Sequence, residues 1–156
     1  MFAVAIDASP DALAGGSWRA MRARLANVAF LVEGVERLPG ALTGIADEVT
    51  VHFPWGSLLR GLIAADSVVL APIAALLKAG GELRLVVSAS ARDAMDELTP
   101  ELIGARAGVF RDHGLELVTA RWATPADVLA SRSTWAKRLG VGRNRSAVFA
   151  SYRRSR

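Results

Sequence analysis

Apolar residues along this chain gather into short unbroken runs, and between the runs the pattern changes to a helical period. Phe2-Ala3-Val4-Ala5-Ile6 reads as a buried strand that ends at Asp7. Ser9 and Pro10 then form a cap and first turn, and the helical pattern resumes from Ser17 to Leu25 after a break at Gly15-Gly16. Val28–Val32 is a second strand, Gly34–Gly44 a turn-rich crossover, and Glu48–Phe53 a third strand. Helical periodicity covers Leu58–Ala64 and Ser67–Ala79, with Gly80-Gly81 closing the second of these. Leu83–Val87 is a fourth strand, Pro100–His113 a helix ending at Gly114, and Leu115–Thr119 a fifth strand. Pro125–Ala130 and Thr134–Leu139 read as short helices, and Ala147–Ala150 as the last strand. Strands alternating with helices imply one α/β domain with a mainly parallel sheet.

Composition narrows the classes. With 156 residues and 52% hydrophobic content, the chain has enough apolar mass for one real core. The absence of cysteine excludes disulfides, zinc knuckles and thiol chemistry, and fits a cytoplasmic protein. The opening apolar run is short, lacks a preceding basic region and meets Asp7 early, unlike a signal peptide. The longest apolar region, Val68 to Leu77, is too short for a bilayer, so no membrane partner is expected.

Charge adds a partner class. The net charge is +4, and the only two lysines are Lys78 and Lys137 against 17 arginines. The bias toward arginine fits a GC-rich genome, but its clustering is a separate matter. Arg132, Lys137, Arg138, Arg143, Arg145, Arg153, Arg154 and Arg156 crowd the last quarter, where Asp127 is the sole acid. Such a one-sided field suits a phosphate backbone; the plain alternative is a solvated tail.

Candidate chemistry concentrates at strand ends. Pro54-Trp55-Gly56 follows the third strand and places an indole at the carboxyl edge of the sheet, where open α/β sheets bind ligands. A rigid flat side chain there suits a nucleobase. Trp135 lies in Ser133-Thr134-Trp135-Ala136-Lys137-Arg138, beside basic residues. Asp7, between a strand and a helix, can accept hydrogen bonds from two ribose hydroxyls or simply favour a helix amino terminus. Glu36 is open to two readings, a ligand contact or a loop acid paired with Arg37. Trp18 and Trp122 lack comparable context and are expected to pack; His52 and His113 are expected to be structural. No acid–histidine–serine grouping and no metal-ligand spacing is present in the sequence.

Ala5-Ile6-Asp7-Ala8, Val35-Glu36-Arg37-Leu38-Pro39, the run Pro54-Trp55-Gly56-Ser57-Leu58-Leu59-Arg60-Gly61 and Ser133-Thr134-Trp135-Ala136-Lys137-Arg138-Leu139 together carry a resemblance. The chain resembles the aminoglycoside-resistance ribosomal RNA methyltransferases of the Kam and Npm type, which methylate a decoding-site adenine of 16S rRNA at N1. The Pro-Trp-Gly-Ser run is the specific part. The resemblance implies a Rossmann-like fold, S-adenosyl-L-methionine as cofactor, and 16S rRNA in the 30S subunit as partner. It implies that Trp55 and Trp135 sandwich the flipped adenine. It also implies that Asp7, Ala8, Val35, Glu36, Ser57 and Ser133 face the cofactor, and that Arg60, Lys137, Arg138, Arg143 and Arg145 face RNA. Ser57 and Ser133 would need no function if they only cap helices.

One part of the family pattern is missing. Methyltransferases of this fold open with a strand and a glycine-rich turn, and nothing before Asp7 supplies either. The expected fold is therefore N-terminally incomplete. Three accounts are open: an initiator internal to a longer frame, a remnant that has lost activity, or a strand supplied by another chain. The chain as given is expected to bind the cofactor weakly. A non-catalytic RNA-binding protein and a small-molecule methyltransferase-like enzyme are the alternative functions.

Overall fold

The computed structural model describes residues 1–89, 98–131 and 146–156. It divides into two compact units, Met1–Gly40 and Ala41–Arg156.

In the first unit, β1 (Ala3–Asp7) pairs in parallel with β2 (Val28–Val32), and Asp7 stands opposite Val32. Helix α1 (Pro10–Arg22) connects them and runs unbroken through Gly15-Gly16, where a break was expected. An interior glycine costs a helix only about 1 kcal/mol, and Gly16 earns a packing contact, since a Cβ there would press on the Phe30 ring. After β2 the chain makes two 3₁₀ turns, Val35–Arg37 and Gly40–Leu42, within the expected crossover.

The second unit is a four-stranded sheet in the order β3-β4-β6-β5. Its strands are β3 (Ala46–His52), β4 (Leu77–Val87), β5 (Leu115–Trp122) and β6 (Val148–Arg154). β3 and β4 are parallel, whereas β6 runs antiparallel to both β4 and β5. The mainly parallel expectation thus holds for β1–β2 and β3–β4, and the chain's last strand is the antiparallel insertion. β6 is longer than expected, so Arg153 and Arg154 are strand residues rather than tail. Arg153 stands opposite Glu82 and Glu116, and Arg154 donates to the His113 carbonyl.

Alternation along the strands creates two unlike faces. Leu83, Leu85 and Val87 of β4 share one face with Tyr152, Ala150 and Val148 of β6, and all are buried. Helices α2 (Gly56–Ala64), α3 (Ser67–Leu76), α4 (Pro100–Ala105) and α5 (Ala107–Asp112) belong to this unit, and Phe110 of α5 stacks on Tyr152 with ring centroids 4.3 Å apart. The single helix expected over Pro100–His113 is two, divided at Arg106. The opposite face carries Glu48, Glu82 and Arg84, with Arg84 bridging both carboxylates at 3.3 and 3.0 Å. At the carboxyl end of that face the polar surface gives way to an apolar cluster packed by α6 (Pro125–Ala130).

Gly80-Gly81 does not end a helix. α3 stops at Leu76, and β4 begins at Leu77 with an irregular stretch between the pairs Ala46–Leu77 and Glu48–Glu82. Gly81 is needed there because the carbonyl oxygens of Lys78, Ala46 and Asp47 crowd the place a Cβ would occupy. Among the described residues no strand pairs with the outer edge of β1 or of β3.

Candidate functional site

The first unit brings two acids to the carboxyl ends of a parallel strand pair. Asp7 is half-buried, and one of its carboxylate oxygens accepts from the Ser9 amide at 2.8 Å, while its carbonyl accepts from the Glu33 amide at 3.0 Å. The acid is therefore held at the turn into α1 rather than swinging free. Ala8 beside it is exposed.

Glu36 is exposed on the first 3₁₀ turn and folds back over Gly34. A Cβ on Gly34 would lie 2.5 Å from a Glu36 carboxylate oxygen, so only glycine leaves this acid its place. Arg37 pairs with Glu33 at 2.9 Å, which replaces the Glu36–Arg37 pair that one reading of the sequence required. The Gly34 amide and the Arg37 side chain hold the Glu33 carboxyl below its ordinary pKa. Val35 is half-buried beside them. This glycine-made recess between acids fits the adenosine half of a nucleoside cofactor. Among the described residues no glycine-rich turn follows β1 to receive a charged methionine end.

In the second unit, the Phe53-Pro54-Trp55-Gly56 turn joins β3 to α2. Phe53 has φ +50°, in the left-handed region, and Gly56 follows at φ +62°. A left-handed non-glycine residue costs about 1–2 kcal/mol. Burial of the Phe53 ring, 3% exposed, offsets it by about 1.5–3 kcal/mol. The Phe53 amide also donates to the Val86 carbonyl at 2.7 Å. The reversal buries Pro54 and turns Trp55 outward, where it is 70% exposed at the N-cap of α2. Ser57 and Arg60 are exposed on α2, and Ser57 lies in its first turn rather than at its cap.

The same edge holds both ends of the connection between β5 and β6. Trp122 ends β5, Val148 begins β6, and the Ala123 amide donates to the Ala147 carbonyl at 2.8 Å. Thr124 and Asp127 form a capping box that starts α6, and Arg121 holds Asp127 with two hydrogen bonds at 2.7 and 3.0 Å. Ser133, Trp135, Lys137, Arg138, Arg143 and Arg145 lie outside the described residues, as does the helix expected over Thr134–Leu139.

Two tryptophans expected in the core are at the surface: Trp18 is 54% and Trp122 45% exposed. Arg22 lies over the Trp18 ring at 4.6 Å on α1, with Arg19 nearby in the same last turn. This basic aromatic surface went unread in the sequence, although Trp18, Arg19 and Arg22 at helical spacing were the available signal. His52 is half-buried and His113 caps α5, consistent with structural roles. No group of three or more potential metal ligands exists among the described residues, and no single helix there is long and apolar enough to cross a membrane.

The family described as NpmA, 16S rRNA (adenine(1408)-N(1))-methyltransferase, matches residues 1–153. The chain belongs to this family. An enzyme of that description from Streptoalloteichus hindustanus is 31% identical over 134 residues, covering 81% of this chain and 61% of the relative. One from Escherichia coli is 30% identical, covering 78% and 60%. The chain thus spans about three-fifths of the length of these relatives. Among solved structures, a tryptophan variant of the Catenulisporales acidiphilia enzyme with cosubstrate SAM superposes with TM-score 0.85 and 28% identity, covering 98% of this chain and 75% of that one. The aminoglycoside resistance methyltransferase NpmB1 gives TM-score 0.73 and 30% identity over 98% and 75%. The Rossmann-like methyltransferase fold expected for the NpmA-family chain is that of these neighbours.

Proposed function

We propose that this NpmA-family chain acts in S-adenosylmethionine-dependent methylation of a decoding-site adenine at N1 in 16S rRNA of the 30S subunit, the modification that gives aminoglycoside resistance. The observation that carries the reading is Trp55, turned into solvent at the carboxyl edge by a strained, well-anchored turn. A base extruded from RNA needs such a face to stack on. Trp135 would supply the second face, and Ser57 and Ser133 short polar contacts at the same edge. Asp7, Ala8, Val35 and Glu36 would receive the ribose and adenine of the cofactor, which supplies an electrophilic methyl group when bound.

The chemistry asks little of the protein beyond this. Neutral adenine N1 carries a lone pair and no proton, so no general base is required. Alignment of the base supplies the rate, and indole faces favour the positive charge of the product. Arg60, Lys137, Arg138, Arg143 and Arg145 would meet phosphates, joined by Arg19 and Arg22 beside Trp18. A cytoplasmic location follows from the ribosomal substrate.

The second reading, RNA binding without methylation, is favoured by the unpaired outer edges of β1 and β3 and by the lack of a glycine-rich turn among the described residues. Incubating the chain with 30S subunits and labelled S-adenosylmethionine, then mapping the label by reverse transcription, separates the two. A stop at one decoding-site adenine supports the enzyme. Salt-sensitive RNA binding without a stop supports the second reading, and neither result would reject both.

A further inference from the structure

We infer that the apolar cluster around Phe53 is a shared footing for the two tryptophan-bearing connections, which makes Phe53 and Val128 positioning residues. Phe53, Val86 and Ala147 form its buried part, and Ala123, Val128 and Phe149 pack against it. Each member belongs to a different stretch of the site's frame. Phe53 is the left-handed residue that starts the turn presenting Trp55. Ala123 and Ala147 are hydrogen-bonded to each other at the two ends of the β5–β6 connection, within which Trp135 lies. Val128 is the α6 residue that seats this helix on the cluster.

The register makes the link continuous. His52 stands opposite Val86, Val86 opposite Phe149, and Phe149 opposite Arg121. Ser88 Oγ donates to the Ser146 carbonyl at 2.8 Å, tying the end of β4 to the residue before Ala147. Close-packed interiors transmit small displacements. A shift of Phe53 is therefore felt at the foot of α6, and a shift of Val128 at the turn carrying Trp55. The cluster sets the two connections against each other, not only each against the sheet.

The inference deepens the proposed function and rests on it only for the use made of the two indoles. Its test needs neither methylation nor a bound ligand. The chain has four tryptophans, so labelling with ¹⁵N-indole yields four separable N–H resonances, with Trp18 as an internal control in the other unit. Val128→Ala is expected to move the Trp55 resonance by more than its line width. Phe53→Leu is expected to move those of Trp122 and Trp135, and Trp18 should stay in place in both. Phe53→Gly relieves the left-handed backbone but removes the ring; it should move the Trp55, Trp122 and Trp135 resonances and weaken binding to 30S subunits about tenfold or more, with Phe53→Leu restoring most of that loss.

If each substitution moves only the indole nearest in sequence, the inference is wrong, and Phe53→Gly binding RNA like wild type would also overturn it. Should Phe53→Gly not fold, the Phe53→Leu and Val128→Ala spectra decide alone. If wild type binds no RNA, the functional reading fails while the spectra still judge the coupling.

Discussion

The guanidinium carbon of Arg121 lies 4.4 Å from the centre of the Phe149 ring, so a strand residue of β5 covers an aromatic face of β6 on the way to its acid partner. From that position Arg121 holds Asp127, whose carboxylate also accepts from the Thr124 amide at 2.6 Å and the Thr124 hydroxyl at 2.7 Å. One stacked cation thereby fixes both the cap and the direction of α6.

Thr124→Ala should cost about 1 kcal/mol, the usual worth of an N-cap side chain, which for a chain of this size lowers the melting temperature by about 2–4 °C. Asp127→Ala should cost more, because it removes the capping box and leaves Arg121 without its partner. The Arg121 hydrogen bonds, with those from Thr124, hold the Asp127 carboxyl well below the ordinary carboxylate range. Its contribution is therefore complete above the unfolded value of 3.8 and fades as pH falls below that value toward the folded one. Thermal melts of wild type and Asp127→Ala should converge on acidification. Curves that stay parallel would refute the linkage.

His52 should act in a higher pH range. Burial holds its pKa below 6.5, with Glu48 opposing the shift weakly. Protons then bind the unfolded chain more readily, so stability is full above about pH 6.5 and falls as the pH drops through that value. His52→Gln should flatten the melting temperature between about pH 8 and pH 5.5 relative to wild type. An unchanged slope would mean that another group titrates there.

Gly61 sits where α2 meets α3, and a Cβ there would drive into the Val69 side chain. Gly61→Ala gains helix propensity but overpacks a closed contact, for a net loss of about 1–3 kcal/mol. Val69→Ala in the same chain should recover part of it. Denaturant melts of the single and double variants measure the coupling, and additive losses would show that the contact yields freely.

The alternation of apolar runs revealed the strands because burial on a sheet face is a local pattern. The same signal led to mistakes wherever a tertiary contact decided. Gly15-Gly16 reads as a break, yet α1 continues because Gly16 packs against Phe30. Gly80-Gly81 reads as a helix stop, yet Gly81 serves a crowd of carbonyl oxygens beside β3. Trp18 and Trp122 read as core by size alone, and their exposure depends on where helices and strands end. Pro54-Trp55-Gly56 was legible as a display turn. That Phe53 would take the left-handed conformation was not, since only the cluster beneath it makes the strain affordable.

The adenosine side of the site rests on Asp7 and Glu36. Binding of S-adenosylmethionine to this chain should be weak, because no backbone amide cradle for its methionine end exists among the described residues. Asp7→Ala should remove a further ~1.5–3 kcal/mol, the worth of charge-assisted hydrogen bonds, and Gly34→Ala should weaken binding by displacing Glu36 while leaving stability nearly unchanged. Equilibrium dialysis with labelled cofactor measures all three. Tight binding that ignores Asp7→Ala would reject this placement of the ribose.

Trp55 offers the decisive contrast between display and packing. At 70% exposure its indole contributes little to the core, so Trp55→Ala should melt within a degree or two of wild type. A buried tryptophan would instead lose about 3–5 kcal/mol on truncation. If the indole stacks on an extruded adenine, truncation removes about 1–3 kcal/mol at that base. Each 1.4 kcal/mol is about tenfold, so binding to 30S subunits, and methylation where it occurs, should fall by roughly one to two orders of magnitude. Trp55→Phe keeps an aromatic face and should restore part of the loss, whereas Trp55→Leu has a comparable apolar character without the face and should not. Trp135→Ala should behave as Trp55→Ala does. Melting curves and 30S binding measured on the same variants separate the outcomes: stable proteins with wild-type RNA affinity would remove Trp55 from the site.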